Sequence, residues 1–325
     1  TVLGTADGAS EQDESRLETG PVPRIQVPSK TPFWLRADAA RLASEQIEQS
    51  IGNGALDAIV LSGLDALDLA ARSSKILQCP LLVEVRSREE ADAVLRHNSK
   101  VSIFVAATEP LANRLALKIE ADRVECIRPC LPGSNSATSP EGRFLLVLGP
   151  PRDPSIWSAL MDGILDATSS LEEDIRPMIA MELGESRLDM QVWSHARTRG
   201  MLHQIVTIDQ IEALRPLLTS AAAVIVPEGR QTLRSILPQA MQRGVVPVVA
   251  QDPDMDFLED GVNSLTVNSS ELRRASAWGD VISKVLDPSQ RRPLAEAACL
   301  SSKEFLASRI APQWSTLLHS VVFGD

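Results

Sequence analysis

The feature of this sequence that most constrains its fold is a repeated alternation of short apolar runs with segments of helical periodicity. In the first half of the chain the apolar runs lie at residues 58–61, 80–85, 101–106 and 124–127. Runs of this length are typical of strands that are buried on both faces of a parallel sheet. The segments between them predict the connecting helices, one of which opens with a capping box at residues 87–90.

A second series of the same kind follows residue 142. Strands are predicted at 144–148, 176–181, 204–206, 223–226, 245–250 and 264–267, with helices at 153–167, 188–199, 209–219 and 233–243. Helices fill the remaining C-terminal part, where residues 301–304 predict another capping box. The stretch 131–142 is rich in Ser, Pro and Gly, so we place a domain boundary there. The chain is therefore predicted to be an α/β protein with two doubly wound parallel-sheet domains.

The net charge narrows the range of partners. The 325 residues contain 32 Lys and Arg against 43 Asp and Glu, a formal charge of −11. This charge disfavours nucleic-acid binding, although a helix N-terminus can still hold a small phosphorylated ligand. Because no apolar run approaches the roughly 18 residues of a membrane span and no signal segment is visible, the predicted location is the cytoplasm.

The chain lacks the common motifs of nucleotide-binding and hydrolytic enzymes. It contains no G-x-G-x-x-G, no P-loop motif and no G-x-S-x-G elbow. Gly149 follows the first strand of the second series, but Pro150 and Pro151 come next, and proline offers no N–H to a phosphate. A classical dinucleotide fold, a P-loop enzyme and a serine hydrolase are all disfavoured.

Metal binding is not expected either. Cys126 and Cys130 are close in sequence, yet no second pair stands at zinc spacing, so the thiols are predicted to be free. Residues 252–256 contain two D-x-D spacings that suit either a divalent cation or an acidic turn, and turn chemistry is favoured. His195 and His203 show no paired carboxylate or nucleophile at a diagnostic spacing, which predicts histidines on helix surfaces.

Residues 220–267 are the most informative stretch. Their pattern predicts a strand, a loop, a helix closed by Gly244, a second strand, an acidic loop and a Gly-Val-Asn turn. The loop 227–232 presents backbone N–H groups at a helix N-terminus, which suits an anion, although a β-α-β unit without a ligand has the same pattern.

This stretch resembles the C-terminal domain of GT-B-fold retaining glycosyltransferases of the group 1, or family 4, type. The matching residues are Pro227, Ala240, Met241, Gly244, Pro247, Val248, Val249 and residues 259–263. Weaker similarity covers 57–60, 104–108, 127–129 and 146–149. The resemblance implies two Rossmann-like domains facing across a cleft. The first strand–helix unit of the N-terminal domain is missing or replaced by residues 1–36, which implies a shortened domain.

The resemblance completes the predicted organisation of the chain. Residues 1–30 are predicted to be a flexible, polar lead-in, 31–139 the N-terminal domain and 140–300 the C-terminal donor domain. Residues 301–325 are predicted to form a helix that packs back on the N-terminal domain. An apolar stripe that needs a partner supports this last prediction. The stripe comprises Phe305, Leu306, Ile310, Trp314 and Leu318.

The function implied by the resemblance is transfer of a sugar from a nucleotide-diphosphate sugar to an unknown acceptor, with retention. No metal or other cofactor is expected, and no catalytic residue is identified. The implied donor-binding residues are Arg152, Glu228, Gly229, Arg230, Gln231, Thr232, Leu233, Gln239 and Asp256.

The chain departs from the family pattern at several parts of the donor site. Gln231 and Gln239 replace two glutamates, and an amide can bind a hydroxyl but supplies no charge. Prolines replace the basic pair that neutralises the diphosphate, so that only Arg152 is near, and Asp256 follows a shortened loop without its two glycines. Whether the protein is an active enzyme is thus left open. The alternative is a catalytically inactive GT-B-like protein that binds a sugar, a nucleotide or a partner subunit.

Overall fold

The computed structural model describes residues 2–5, 24–27, 36–51, 56–131, 142–149, 151, 153–182, 186–208, 214–228 and 236–324. The chain divides into two compact units. Unit 1 consists of residues 1–127 together with 312–325, and unit 2 consists of residues 128–311. The predicted linker at 131–142 lies mostly outside the described residues.

Unit 1 is built on a parallel sheet of four strands in the order β3-β4-β5-β6. Its strands are β3 (Ile59–Ser62), β4 (Leu81–Val85), β5 (Ile103–Ala106) and β6 (Val124–Cys126). The helices are α1 (Arg36–Ile51), α2 (Leu67–Leu77), α3 (Arg88–Val94) and α4 (Glu109–Ala116). Four of the five side chains of β4 are buried, as the apolar run predicts for a central strand.

The N-terminal residues correct one expectation. Residues 1–30 are predicted to be irregular, but β1 (Val2–Thr5) and β2 (Arg24–Val27) pair in parallel as a separate two-stranded sheet. The prediction of irregular backbone is wrong for these eight residues. Strands of four residues show too few periods for alternation to be recognised among the surrounding glycines and prolines. Residues 6–23 lie outside the described part of the chain.

Unit 2 contains a six-stranded sheet in the order β12-β11-β10-β7-β8-β9, and every pairing is parallel. Its strands are β7 (Phe144–Val147), β8 (Met178–Glu182), β9 (Ile205–Ile208), β10 (Ala221–Val226), β11 (Val246–Ala250) and β12 (Leu265–Val267). The helices are α5 (Pro154–Thr168), α6 (Ser186–Thr198), α7 (Leu214–Leu218), α8 (Ile236–Gln242), α9 (Ala275–Leu286), α10 (Pro288–Ser301) and α11 (Ala307–Phe323), of which α11 extends into unit 1.

The predicted α/β class with parallel sheets is confirmed, and unit 2 is doubly wound. All six side chains of β10 are buried, which explains why the central strands read as uninterrupted apolar runs. The arrangement of two domains about a cleft stays a prediction.

The two predicted capping boxes have different outcomes. At the first, the Ser87 hydroxyl accepts the Glu90 N–H at 3.1 Å, and the Glu90 carboxylate accepts the Arg86 N–H at 2.7 Å. At the second, Ser301 has helical backbone angles (φ −61°, ψ −33°) and its side chain caps no helix. The second prediction is wrong because α10 continues through Ser301 into a 3₁₀ turn at Ser302–Phe305, where Phe305 is completely buried.

Candidate functional site

The strand order of unit 2 defines where a ligand would bind. The chain passes from β7 through α5 to β8 on one side, and β10 pairs with β7 on the other side. In open α/β sheets, ligands bind outside the carboxyl ends of the strands at the point where the order reverses. That point lies between β7 and β10, so residues 148–149 and 227–228 mark it. We call these four residues the switch-point edge.

The structure places the described members of the predicted donor set on two successive connections, from β10 to β11 and from β11 to β12. Glu228 lies at the switch-point edge directly after β10 and is partly buried. Gln239 lies in α8, the helix that follows this loop, and Asp256 lies in the loop after β11. Arg152 and residues 229–233 lie outside the described part of the chain. That these groups surround one donor therefore stays a prediction.

The backbone at Gly149 is already engaged by a carboxylate that the sequence did not single out. Gly149 has a positive φ of +69°, and its N–H donates to Oε2 of Glu182 at 2.9 Å. Glu182 is the last residue of β8, the strand next to β7. The sequence could have pointed to Glu182 through its position at the end of an apolar run. The carboxyl ends of parallel strands lie at one edge of the sheet, so a carboxylate there lies near the predicted ligand site.

A second carboxylate lies at the N-terminus of α5. Asp153 accepts the Ser155 N–H at 2.9 Å and the Ser155 hydroxyl at 2.7 Å, while Nη2 of Arg273 lies 2.7 Å from Oδ2. The hydrogen bond from the Ser155 hydroxyl, followed by that from Arg273, lowers the pKa of Asp153 to about 2. The helix terminus that suits an anion thus binds a carboxylate of the chain itself.

Asp256 forms a bidentate ion pair with Arg128. Its two carboxylate oxygens lie 2.8 and 3.3 Å from the two terminal nitrogens of the guanidinium, and both side chains are about four-fifths buried. Arg128 also lies 3.6 Å from Glu304 and 5.6 Å from the centre of the Phe305 ring. Because the carboxylate is paired in this way, Asp256 anchors its loop to residues distant in sequence. Its role toward a donor is untested.

The loop after β11 lines a depression of about 520 Å³ at the carboxyl ends of β11 and β12. Asp252 accepts the Asp254 N–H at 3.0 Å, and Asp260, also on the lining, accepts the Thr266 N–H at 2.7 Å. The bond at Asp252 is the turn chemistry that was favoured for residues 252–256. Within the described ranges, no group of three or more His, Cys, Asp or Glu is arranged to hold a metal ion.

His195 lies on helix α6, as predicted, and the structure adds a carboxylate partner that the sequence did not reveal. Its Nε2 lies 2.9 Å from Oδ1 of Asp162, and Arg199 binds both oxygens of the same carboxylate at 2.9 Å. Asp162 belongs to α5 and the two basic residues to α6, so the pairing joins two helices. Spacing along the chain could not reveal it. The cluster lies two turns beyond the start of α5 at the switch-point edge and joins helices rather than lining that edge.

Comparisons with known proteins identify the fold. No protein-family model matches the sequence, and no curated protein matches it. The structure is similar to HepE of Anabaena in complex with UDP and glucose, at 15% identity, a TM-score of 0.71, and coverage of 92% of this chain and 86% of that chain. It is similar to a glycosyltransferase from Rickettsia africae at 12% identity and a TM-score of 0.70, over 99% of this chain and 90% of that chain.

A further similar structure is sucrose-phosphate synthase from Thermosynechococcus elongatus, at 12% identity and a TM-score of 0.69, over 93% of this chain and 84% of that chain. At these identities the likeness establishes the fold. The chain has the GT-B fold, as the resemblance in residues 220–267 implied. Among the described helices, none has both the length and the apolar character that a bilayer span requires.

Proposed function

We propose that this protein is a glycosyltransferase of the GT-B fold that uses a nucleotide-diphosphate sugar and transfers its sugar to an unidentified acceptor with retention. The observation that carries the proposal is a coincidence of two independent results. The stretch 220–267 resembles the family's donor domain, and the strand order puts the start of its loop 227–232, at Glu228, at the switch point of unit 2.

Each proposed donor residue has a role that suits its chemistry. The amides of Gln231 and Gln239 bind sugar or ribose hydroxyls, since an amide both donates and accepts hydrogen bonds. Arg152 and Arg230 supply positive charge to the diphosphate, and the backbone N–H groups of residues 228–233 bind its oxygens. Similar structures of HepE contain UDP and UDP-glucose, which supports this ligand class for the same fold.

A second candidate function is binding of a sugar or nucleotide without catalysis. It is favoured by the carboxylates of Glu182 and Asp153, which accept the N–H groups of Gly149 and Ser155 after β7. Stabilisation of a departing diphosphate is mostly electrostatic, and negative groups near it oppose that stabilisation.

The test is calorimetric titration of UDP, ADP and GDP and of their sugar derivatives, followed by assays of donor hydrolysis. Gln239→Ala should weaken binding of the sugar nucleotide by about tenfold, the value of one good hydrogen bond to a sugar hydroxyl. Gln191→Ala, an exposed glutamine of α6, is the matched control and should leave binding unchanged.

The outcomes separate the two functions. Turnover with an unchanged anomeric configuration supports retaining transfer, and turnover with inversion contradicts retention alone. Tight binding without hydrolysis or transfer supports the second candidate. If none of the nucleotides or sugar nucleotides binds, the first candidate is wrong, and the second is reduced to binding of a free sugar.

A further inference from the structure

We propose that Glu182 lowers the affinity of the switch-point edge for anionic ligands, because its carboxylate competes with a phosphate group for the N–H of Gly149. The inference rests on the proposed function only for the identity of the ligand as a nucleoside diphosphate. The competition itself concerns any diphosphate at this edge. Glu182 is thus a specificity-determining residue that weakens diphosphate binding in the wild-type protein.

Strand register explains why Glu182 reaches this N–H. In the parallel pair of β7 and β8, Val147 lies opposite Met181. The next residue of β8 is Glu182, and its carboxylate extends to the first N–H beyond Leu148, at 2.9 Å from the nitrogen of Gly149. The left-handed backbone of Gly149, with φ at +69°, is one that L side chains rarely adopt.

The N–H of Gly149 matters for anion binding because the two residues that follow it have no N–H. In the tripeptide that follows Leu148, both Pro150 and Pro151 lack an N–H, so Gly149 carries its one backbone donor. A phosphate oxygen that approaches the end of β7 therefore has one backbone donor in this tripeptide, and Glu182 uses it. The ligand must displace a carboxylate and also tolerate its charge.

The next anion position along the chain is filled in the same way. Asp153 caps α5, the helix that follows β7, and Arg273 binds its carboxylate. With a pKa of about 2, Asp153 stays ionised at neutral pH. Glu182 and Asp153 thus each accept a backbone N–H after β7 that could otherwise donate to an anion.

Removing the charge of Glu182 while preserving its shape should strengthen diphosphate binding. In Glu182→Gln, the amide oxygen can still accept the Gly149 N–H, and the amide nitrogen can donate to a phosphate. A phosphate oxygen bound to this N–H would lie within hydrogen-bond range of the same nitrogen as the carboxylate, where two negative charges repel each other. We therefore expect affinity for a diphosphate to rise by about tenfold.

The experiment titrates pyrophosphate and UDP by calorimetry into the wild type, Glu182→Gln, Glu182→Ala and the control Glu296→Gln. Glu296 is an exposed residue of α10 that pairs with Arg292, and its replacement changes the net charge by the same amount. Both Glu182 variants should bind pyrophosphate about tenfold more tightly than the wild type. The control should not differ from the wild type.

Pyrophosphate and sugar nucleotide report on different claims. A gain in pyrophosphate binding supports the role of Glu182 whether or not UDP binds. If, in addition, none of the nucleotides and sugar nucleotides titrated under the proposed function binds, the proposed function is wrong and the role of Glu182 still holds. Equal pyrophosphate affinities in the wild type and both Glu182 variants overturn the inference, as does an equal gain in Glu296→Gln, which would reflect net charge.

A measurement on the wild type keeps the inference testable if the Glu182 variants fold poorly. Saturating pyrophosphate should displace the carboxylate and shift the amide resonance of Gly149. The N–H of Val224 in the centre of β10 is buried within the sheet and should not shift. An unchanged Gly149 resonance at saturation contradicts the proposed competition.

Discussion

Replacing Gly163 of α5 by alanine should destabilise unit 2, because backbone atoms of α9 fill the space that the added Cβ would need. A Cβ built on Gly163 would lie 2.6 Å from the carbonyl oxygen of Ala275, 2.7 Å from Cβ of Trp278 and 2.8 Å from the nitrogen of Gly279. Two of these atoms belong to the backbone of α9, so rotation of a side chain cannot relieve the overlap. One helix must move away from the other.

The size of the effect follows from two opposing contributions. Overpacking in a close-packed interior costs about 1–3 kcal/mol, and the rigid backbone contacts place this site at the upper end. Alanine in a helix is more favourable than glycine by about 1 kcal/mol. We expect Gly163→Ala to lower the free energy of unfolding by about 2 kcal/mol.

Gly279→Ala is the matched control at the same helix contact. A Cβ on Gly279 would lie 3.4 Å from the carbonyl oxygen of Gly163, and its other neighbours are at 3.8 Å or more. The alanine Cβ therefore fits beside Gly163 without overlap. The gain in helix propensity should raise the free energy of unfolding by up to about 1 kcal/mol. The two glycines of one contact should therefore respond with opposite signs.

Urea unfolding followed by tryptophan fluorescence measures both variants, since Trp157 and Trp278 are buried on these two helices. The midpoint should fall for Gly163→Ala and rise or stay constant for Gly279→Ala, with similar dependence on urea concentration. The packing argument is refuted if Gly163→Ala is as stable as the wild type, or if both variants lose the same stability.

Two further predictions concern ion pairs of unit 2. Arg128→Met should lower the free energy of unfolding by about 1–2 kcal/mol, because it leaves the mostly buried carboxylate of Asp256 without its bidentate partner; an unchanged urea midpoint would show that the pair contributes nothing. Asp153→Ala should cost about 1 kcal/mol at pH 7 through loss of the N-cap, and Asp153→Ser should restore most of it. Since folding lowers the pKa of Asp153 to about 2, this carboxylate stabilises the fold above about pH 4 and loses that contribution as the pH falls through 2. The difference in melting temperature between the wild type and Asp153→Ala should therefore shrink over that interval, and a constant difference would contradict the assignment.

Local patterns in the sequence determined the order and type of most elements. The apolar runs mark strands because a strand buried on both faces needs apolar residues at every position, as in β10. Helix starts were visible where a side chain caps its own helix, as at Ser87 and at Asp153 followed by Pro154. Gly244, with φ at +74°, follows α8 as the predicted helix end requires.

The family resemblance predicted the overall fold, which the local patterns alone did not. The match of residues 220–267 to the family pattern was enough to imply GT-B architecture, and the similar structures bear out the fold. The same residues could not show how the donor set is grouped, because that grouping depends on loops around the strand ends.

Only the tertiary structure decided the pairings at and around the candidate site. Glu182 and Gly149 are 33 residues apart, and Arg128 and Asp256 are 128 apart. The sequence periods of strands and helices reflect contacts within two to four residues, so they carry no information on such pairs. Strand order and register determine which loops become neighbours. For that reason the sequence predicted a ligand site after the central strands, whereas the fold alone revealed that a carboxylate from β8 already binds its backbone.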